Sequence, residues 1–340
     1  MSEETEPGEP LVPLFSPPLA ELLAQAEQNK GGALTESEVE EIRDHATYDM
    51  VPLRVAIGAN QERGFQDVRA ENCWADWHRV RSAMVGGPLP RLILCLPGDE
   101  AFVQRAAPLL EAEGIDYEVH ERSDLVEDVF RGANPSADGS LGEEDFERIR
   151  KHTKVLYMVS RNYISDEGPG ACRLFMNAAA RLLDEGAIAV KSESSGIAHS
   201  AQRWKDLAKM CGEEWFTGEF WDALVRAYVQ SPIGSVKTND IYSCGMHLLG
   251  CPDMVISMAL AEQLPGGGES VGGAAAMLFY LFSLYLLIEL GGSGWRSGDT
   301  FRLDASWPKL RVTWEPCNAW QADDLYYNPF GYWRFAELVP

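Results

Sequence analysis

Hydroxyl, carboxylate and imidazole groups are concentrated in the segment KSESSGIAHSAQRW, residues 191–204. An apolar run ends at this segment, and its Ser-Ser-Gly triplet precedes a predicted helix, where free backbone amides attract anions. Ser195 and His199 are four residues apart and would share one face of that helix. Glu193 would orient His199 for acid–base catalysis. The pattern is compatible with ligand binding at Ser195 and Gly196, with catalysis by Glu193 and His199, or with a serine cap beside a surface histidine.

A second group of chemically active residues lies in YSCGMHLLGCPD, residues 242–253. Cys244, His247 and Cys251 are weak candidate metal ligands, because a structural zinc site needs a fourth ligand that this segment does not show. Cys244 is also a candidate nucleophile, since a neighbouring imidazole such as His247 can polarise a thiol. The third interpretation is a buried cysteine beside a structural histidine. Asp253 suits the first turn of a following helix and is a candidate ligand-binding residue.

Aromatic residues are dense near the C-terminal end, in the run LYYNPFGYWRF at residues 325–335. Such a run can line a groove for a ligand or a peptide, with Asn328 as a polar contact. It can equally be a packed tail with turns at Asn-Pro and Phe-Gly. Both interpretations stay open at the level of sequence.

The charge balance limits the partners of this chain. Among 340 residues, 52 are Asp or Glu and 29 are Lys or Arg, which gives a formal net charge of −23. Binding to nucleic acid needs clustered cations that displace counterions from phosphate, and docking on anionic lipid needs cations as well. We therefore expect neither a nucleic-acid nor a membrane partner. The acidity suits a basic protein partner.

The cysteine usage and the N-terminal sequence favour a cytoplasmic location. Seven cysteines form an odd count in a long chain, which differs from the dense, even framework of small secreted domains. The acidic, proline-containing start MSEETEPGEPLVP has no positive or apolar region of the kind found in signal peptides. We expect reduced thiols and no cofactor.

Two segments of the chain resemble one another. GALTESEVEEIRDHATYDMV at 32–51 matches GSLGEEDFERIRKHTKVLYMV at 139–159, including a shared Ile-Arg-x-His. A strand, a long helix and a second strand are predicted after each copy, which indicates a duplicated α-β-α-β unit. The alternative is convergence of two acidic helices with similar capping residues, such as the Thr35–Glu38 capping box. Between the copies, the patterns predict a helix at 102–113 ended by Gly114.

The alternation of helices and strands predicts an α/β or α+β fold, with helices packed on a mixed sheet. Residues 1–30 are expected to form a flexible acidic tail with one short helix. Residues 31–138 would form the first repeat unit. Residues 139–340 would form the second repeat unit and a C-terminal α+β extension with a buried apolar helix at 271–290.

That apolar helix has two interpretations. Residues 271–288, VGGAAAMLFYLFSLYLLI, carry no charge over a length that is just sufficient to cross a membrane. The flanks carry glutamates and lack the cations of a positive-inside pattern. We therefore favour a core helix that is covered on most sides.

The motifs KSESSGIAHS, YSCGMHLLGCPD and NPFGYWRF occur in this order and resemble a bacterial domain family of unknown function. The resemblance covers about 141–340, and residues 33–81 are similar to its N-terminal extension. It implies no established activity. The positions that match its pattern mark where a site would lie: Glu193, Ser195, Gly196, His199, Cys244, His247, Asp253 and Asn328.

Together these features predict a cytoplasmic, acidic binding module whose partner is a basic protein. Small acidic proteins of this type include immunity proteins that neutralise toxins, an analogy that does not determine function. The alternative is a hydrolase-type enzyme that uses either Glu193 with His199 or Cys244 with His247. The sequence leaves the oligomeric state open.

Overall fold

The computed structural model describes residues 10–63, 65–133, 141–235, 237–288 and 295–339. The chain divides into two compact units. Unit 1 comprises residues 1–88 and 293–296, and unit 2 comprises residues 89–292 and 297–340. The division between residues 88 and 89 falls inside the segment that the sequence assigns to a first repeat unit.

Unit 1 contains a two-stranded antiparallel sheet and four α-helices in its described residues. In chain order its elements are β1 (Leu11–Phe15), α1 (Leu19–Lys30), α2 (Glu36–His45), β2 (Tyr48–Pro52), α3 (Leu53–Arg63) and α4 (Cys73–Val85). β1 and β2 pair antiparallel, and α1 and α2 pack against α4 around the buried Leu23, Val39 and Trp77. The predicted capping box is present at the start of α2, where Thr35 and Glu38 each bond the other's backbone amide.

The described part of the predicted tail is ordered, so the expectation of a flexible segment is wrong for residues 10–30. Leu19 and Leu23 are fully buried in the core of unit 1. The Asp67 carboxylate accepts the backbone amides of Leu19 and Ala20 at 3.0 and 2.8 Å, which caps α1 from a distant part of the chain. Residues 1–9 lie outside the described residues.

The first half of unit 2 carries a five-stranded sheet. Its elements are β3 (Ile93–Gly98), α5 (Glu100–Glu113), β4 (Asp116–Glu121), α6 (Leu125–Gly132), α7 (Glu143–Arg150), β5 (Lys154–Val159), α8 (Gly168–Asp184), β6 (Ala189–Ser192), β7 (Ala198–Ser200), α9 (Ala201–Cys211) and α10 (Gly218–Tyr228). The strand order is β4-β5-β3-β6-β7, and all neighbours are antiparallel. Apolar side chains of α6 and α7 join those of β3, β5 and β6 in one core cluster.

The second half of unit 2 carries a six-stranded mixed sheet. Its elements are β8 (Gln230–Ser235), β9 (Asp240–Cys244), β10 (Asp253–Ser257), α11 (Met258–Ala261), α12 (Val271–Ile288), β11 (Thr300–Phe301), β12 (Lys309–Glu315) and β13 (Tyr332–Val339). The order is β11-β12-β13-β10-β9-β8, with β10 and β13 parallel. The predicted α/β class with a mixed sheet is therefore confirmed.

The structure does not show the predicted duplication. The first copy ends in β2, which pairs with β1 in the two-stranded sheet of unit 1. The second copy ends in β5, which lies between β3 and β4 in the five-stranded sheet. The shared Ile-Arg-x-His therefore fits the alternative of two acidic helices with similar chemistry.

One side of α12 is buried, and part of its other side is exposed. Phe279 and Phe282 pack on Phe335 of β13, with ring centroids 6.1 and 5.0 Å apart. In the described residues this is the one helix long and apolar enough to cross a membrane, and 44% of its span is buried. Only Gly273, Met277, Tyr285 and Ile288 are exposed, and the other 14 residues of the helix are buried or partly buried, as expected for a core helix with one partly exposed face.

Candidate functional site

The candidate segment at 191–204 forms a β-hairpin where the sequence predicted a helix start. β6 and β7 pair antiparallel, and residues 193–197 form the turn between them. The following helix, α9, begins at Ala201 with Ser200 as its cap, because the Ser200 hydroxyl accepts the Arg203 amide. Ser195 and His199 therefore do not share a helix face, and no helix N-terminus lies at Ser195 and Gly196.

Glu193 and His199 do not form an acid–base pair. Val190 lies opposite His199 and Lys191 lies opposite Ala198 in the hairpin register, so His199 and Lys191 belong to opposite faces of the sheet. The Glu193 carboxylate lies 2.5 Å from the ammonium of the buried Lys191. The catalytic hypothesis for Glu193 and His199 is not supported by this arrangement.

The turn itself is closed by other parts of unit 2. The Ser195 hydroxyl donates to the Ser192 hydroxyl at 2.9 Å, and Ser195 is almost fully buried. The Gln230 side-chain amide lies against the turn, and with its nitrogen turned towards Ser195 it donates to the Ser195 carbonyl at 2.8 Å. Gly196 has a φ of 74°, and a Cβ there would lie 3.1 Å from the Tyr326 hydroxyl. These contacts leave Ser195 and Gly196 as structural residues of a covered turn.

His199 is a buried, neutral histidine. Its Nε2 donates to the Ala227 carbonyl at 3.1 Å, and its ring lies beside Trp204. Burial lowers the pKa of His199 from 6.5 to about 4, because the surroundings solvate an imidazolium poorly. This is the behaviour of a core residue and not of an acid–base catalyst at neutral pH.

We expect this histidine to make the fold sensitive to acid. Its folded-state pKa lies below its unfolded value, so its contribution is present above pH 6.5 and is lost as the pH falls towards 4. The loss amounts to about 3 kcal/mol. In His199→Gln, where an amide can still donate to Ala227, the unfolding free energy should fall less over this pH range. Urea titrations at several pH values test this, with the exposed His120→Gln as control. An unchanged pH dependence in His199→Gln would contradict the assignment.

Cys244 is not an activated nucleophile. It lies at the end of β9 and is 1% exposed. Burial raises the pKa of its thiol well above 9, and the nearby Asp253 carboxylate raises it further. The thiol is therefore protonated at neutral pH, which is typical of a structural cysteine.

Asp253 and Asn328 belong to a buried hydrogen-bond network. One Asp253 oxygen accepts the Ser243 hydroxyl at 2.8 Å and the Met246 amide at 3.2 Å. The other oxygen accepts the Asn328 amide at 2.7 Å, and that amide also reaches the Cys251 carbonyl. The network joins β9, the turn after it, β10 and the aromatic run. Both side chains are satisfied within the protein, so the prediction that they bind a ligand is not supported.

His247 lies beside this network without joining it. Its Nδ1 is 3.6 Å from Asp253, and neither ring nitrogen has a hydrogen-bond partner among the described residues. Within the same part of the chain, no three His, Cys, Asp or Glu side chains are arranged to hold a metal ion. Cys244, His247 and Cys251 therefore do not form a metal centre there. The candidate residues do not converge on one open site.

A different feature of unit 2 has the character of a binding site, and we call it the apolar belt. It is defined by six exposed apolar side chains: Leu174, Trp215, Phe216, Met277, Tyr285 and Ile288. Large apolar side chains exposed side by side mark interaction surfaces more often than single exposed ones do.

The aromatic end of the belt is held in place by its own contacts. Phe216 is 65% exposed and has a φ of 62°, a left-handed conformation that costs a bulky residue about 1–2 kcal/mol. Its ring contacts Phe220 and Trp221, and the Arg173 guanidinium lies 4.3 Å over the Trp215 ring. Backbone strain that presents an apolar ring to solvent is typical of functional positions.

The helical end of the belt is the uncovered side of α12. Met277, Tyr285 and Ile288 are separated by eight and three residues, so they lie on one helix face about 16 Å long. The two ends meet where α10 begins, because a Cβ on Gly218 would lie 4.0 Å from Ile288 Cδ1.

The rim of the belt is acidic. Glu213, Glu214 and Glu219 flank the aromatic end and are exposed. The nearby cations are engaged by other groups. Arg173 donates to the carbonyls of Gly212 and Glu213, and Arg226 pairs with Asp222 at 2.6 Å. Three exposed carboxylates and one guanidinium therefore flank the aromatic end of the belt, which leaves an excess of negative charge there.

No family model, curated protein or solved structure matches this chain. The resemblance stated from the sequence motifs therefore stays a prediction. The belt has to be interpreted from its own geometry and charge.

Two features of the sequence indicate the belt, although neither is a catalytic or metal-binding motif. The run EEWFTGEFWD at 213–222 combines carboxylates with consecutive aromatic residues. Residues 271–288 are apolar on all sides, so their periodicity cannot show which side faces the core. In the structure, Phe279 and Phe282 pack on Phe335, which shows which side of the helix faces the core and which side is exposed.

Proposed function

We propose that this protein is an acidic binding module that captures a basic protein through the apolar belt. The observation that carries the proposal is the exposed apolar surface with a carboxylate rim on one unit. An apolar centre with a charged rim is the usual anatomy of a protein interface. The partner would contribute apolar side chains surrounded by Lys or Arg.

The negative charge of the chain argues against two other occupants of this surface, a second copy of the chain and an anionic membrane. A second copy would bring two acidic rims together in a chain of net charge −23, which opposes association. An anionic membrane surface would be repelled for the same reason. A basic partner gains both apolar burial and electrostatic attraction, and the attraction also raises the association rate. An immunity protein that covers a basic toxin is one role of this kind.

The proposal can be tested with defined peptides and fluorescence anisotropy on the full chain. The probe is an amphipathic helical peptide of leucine and lysine, about four turns long. The matched peptides are a leucine–glutamate version and a serine–lysine version of equal charge. We expect the leucine–lysine peptide to bind at least about tenfold more tightly than either, and to weaken with salt. If the serine–lysine peptide binds equally tightly, binding depends on net charge alone and not on the apolar belt. That result would overturn the proposal.

A charge prediction follows from the rim. Glu213→Gln combined with Glu214→Gln should weaken binding of the leucine–lysine peptide by about threefold to tenfold, mainly through slower association. The matched control is Glu144→Gln with Glu147→Gln on α7, where both glutamates are also exposed. Stopped-flow mixing at low salt measures the rates. Equal effects of the two pairs would show that the rim has no special role.

A further inference from the structure

We propose that a cavity at the Leu174 end of the belt is an anchor pocket for a lysine or arginine side chain of the partner. This inference rests on the proposed function, because the anchor belongs to a protein docked on the belt. The cavity has a volume of about 350 Å³ and is partly open to solvent. It lies between the first turns of α8, the end of β5 and the start of β4.

The cavity adjoins the belt directly. Leu174 belongs to both, since it lines the cavity and is exposed. Gly170 lies in the cavity wall, and a Cβ there would be 3.9 Å from the Trp215 ring. A partner on the aromatic end of the belt therefore has the mouth of the cavity within reach of a long side chain.

The lining suits an apolar stem with a cationic head. Ile115, Val159 and Phe175 supply apolar walls. The two charges of Arg161 and Glu167 cancel, because the groups pair at 2.6 Å. Lys and Arg side chains bury their methylene stems against apolar surface and keep the charged head near polar groups.

The Asp116 carboxylate makes the cavity favour a positively charged ligand. This carboxylate lies at the start of β4 and is exposed. Because the charges of Arg161 and Glu167 cancel, Asp116 gives the side chains of the lining a net negative charge. The N-terminus of α8 adds about half a positive charge, which leaves the lining negative overall. A cation is therefore favoured over an anion at this mouth.

The experiment is a double-mutant cycle between the pocket and the peptide. Each lysine of the leucine–lysine peptide is replaced in turn by norleucine, which keeps the stem and removes the charge. In the wild type, one replacement should cost at least about fivefold more affinity than the others. That excess should vanish in Asp116→Asn, and in Ala171→Leu, which fills the cavity with a larger side chain. Asp128→Asn on α6 is the matched control. Thermal unfolding shows whether each variant is folded.

The outcomes separate the two proposals. A position-specific excess that disappears in both pocket variants supports the anchor pocket. Tight binding in which no lysine is coupled to Asp116 overturns the pocket and leaves the belt in place. Absence of binding by the wild type overturns both. Binding of a free amine, such as Nα-acetyl-lysine amide, as strongly as the peptide would show a small-molecule site and would also overturn the anchor role.

Discussion

Replacement of Asp253 by alanine is expected to lower the free energy of unfolding by about 3–5 kcal/mol. The Asp253 carboxylate is 1% exposed and accepts three hydrogen bonds, from Ser243, Met246 and Asn328. Removal of the acceptor leaves the Ser243 hydroxyl proton and the Met246 amide buried without an acceptor, while the Asn328 amide keeps only its bond to the Cys251 carbonyl. Each buried group left without a partner costs about 1–3 kcal/mol. Denaturant unfolding followed by circular dichroism measures the loss.

Two further variants keep this prediction testable. Asp206→Ala removes an exposed carboxylate from α9 and should change stability by no more than about 0.5 kcal/mol. Asn328→Ala removes the hydrogen bonds to Asp253, Cys251 and Phe330 but leaves the Asp253 carboxylate its Ser243 and Met246 donors. It should therefore cost less than Asp253→Ala and gives a readable value if the latter fails to fold. A loss below about 1 kcal/mol for Asp253→Ala would contradict the structural role of the network.

The second large effect is expected at the belt. Phe216→Ser combined with Met277→Ser should weaken binding of the leucine–lysine peptide by at least about thirtyfold, which corresponds to about 2 kcal/mol. Both side chains are more than half exposed, so little folding energy depends on them. Apolar anchors at the centre of an interface carry most of its binding energy. Anisotropy titrations measure the affinity.

The control for the belt variants is another exposed apolar residue of unit 2. Leu125 on α6 is 68% exposed and lies outside the belt, so Leu125→Ser should leave the affinity unchanged. If Leu125→Ser weakens binding as much as the belt variant does, the peptide recognises apolar surface in general. The belt would then not be a specific site.

Local patterns predicted much of the fold. The helix predicted at 102–113 is α5, Glu100–Glu113, and Gly114 ends it with a φ of 65°. The capping box at Thr35 and the apolar helix over 271–288 are also present, while residues 289–290 of the predicted helix lie outside the described residues. These features depend on side chains within a few residues of each other, which is why they can be identified without tertiary structure.

The errors arise where distant residues determine the outcome. The serines at 194 and 195 satisfy the rule for a helix cap, yet pairing with β6 draws residues 198–200 into a strand and moves the cap to Ser200. The Asp253 network joins three separate segments through Ser243 and Asn328. Spacing within a motif cannot show such contacts, so buried structural groups resemble catalytic ones.

The candidate site was missed for a related reason. Catalytic and metal-binding motifs consist of titratable and nucleophilic groups, whereas the belt consists of exposed apolar side chains. Exposure of Phe216 and Met277 is a property of the folded chain. Among the sequence features, only the acidic composition indicates a basic partner. The same acidity supports the function proposed from the exposed belt.

The most direct test of the central claim is site-specific photo-crosslinking on the full chain. Benzoylphenylalanine would replace Met277 in the belt in one sample and Leu125 outside it in another. With the leucine–lysine peptide present, we predict a crosslinked product from position 277, competed by unlabelled peptide and reduced by salt, and little product from position 125. Equal crosslinking at both positions, or none at 277 under conditions where the peptide binds, would contradict the assignment of the belt as the binding surface.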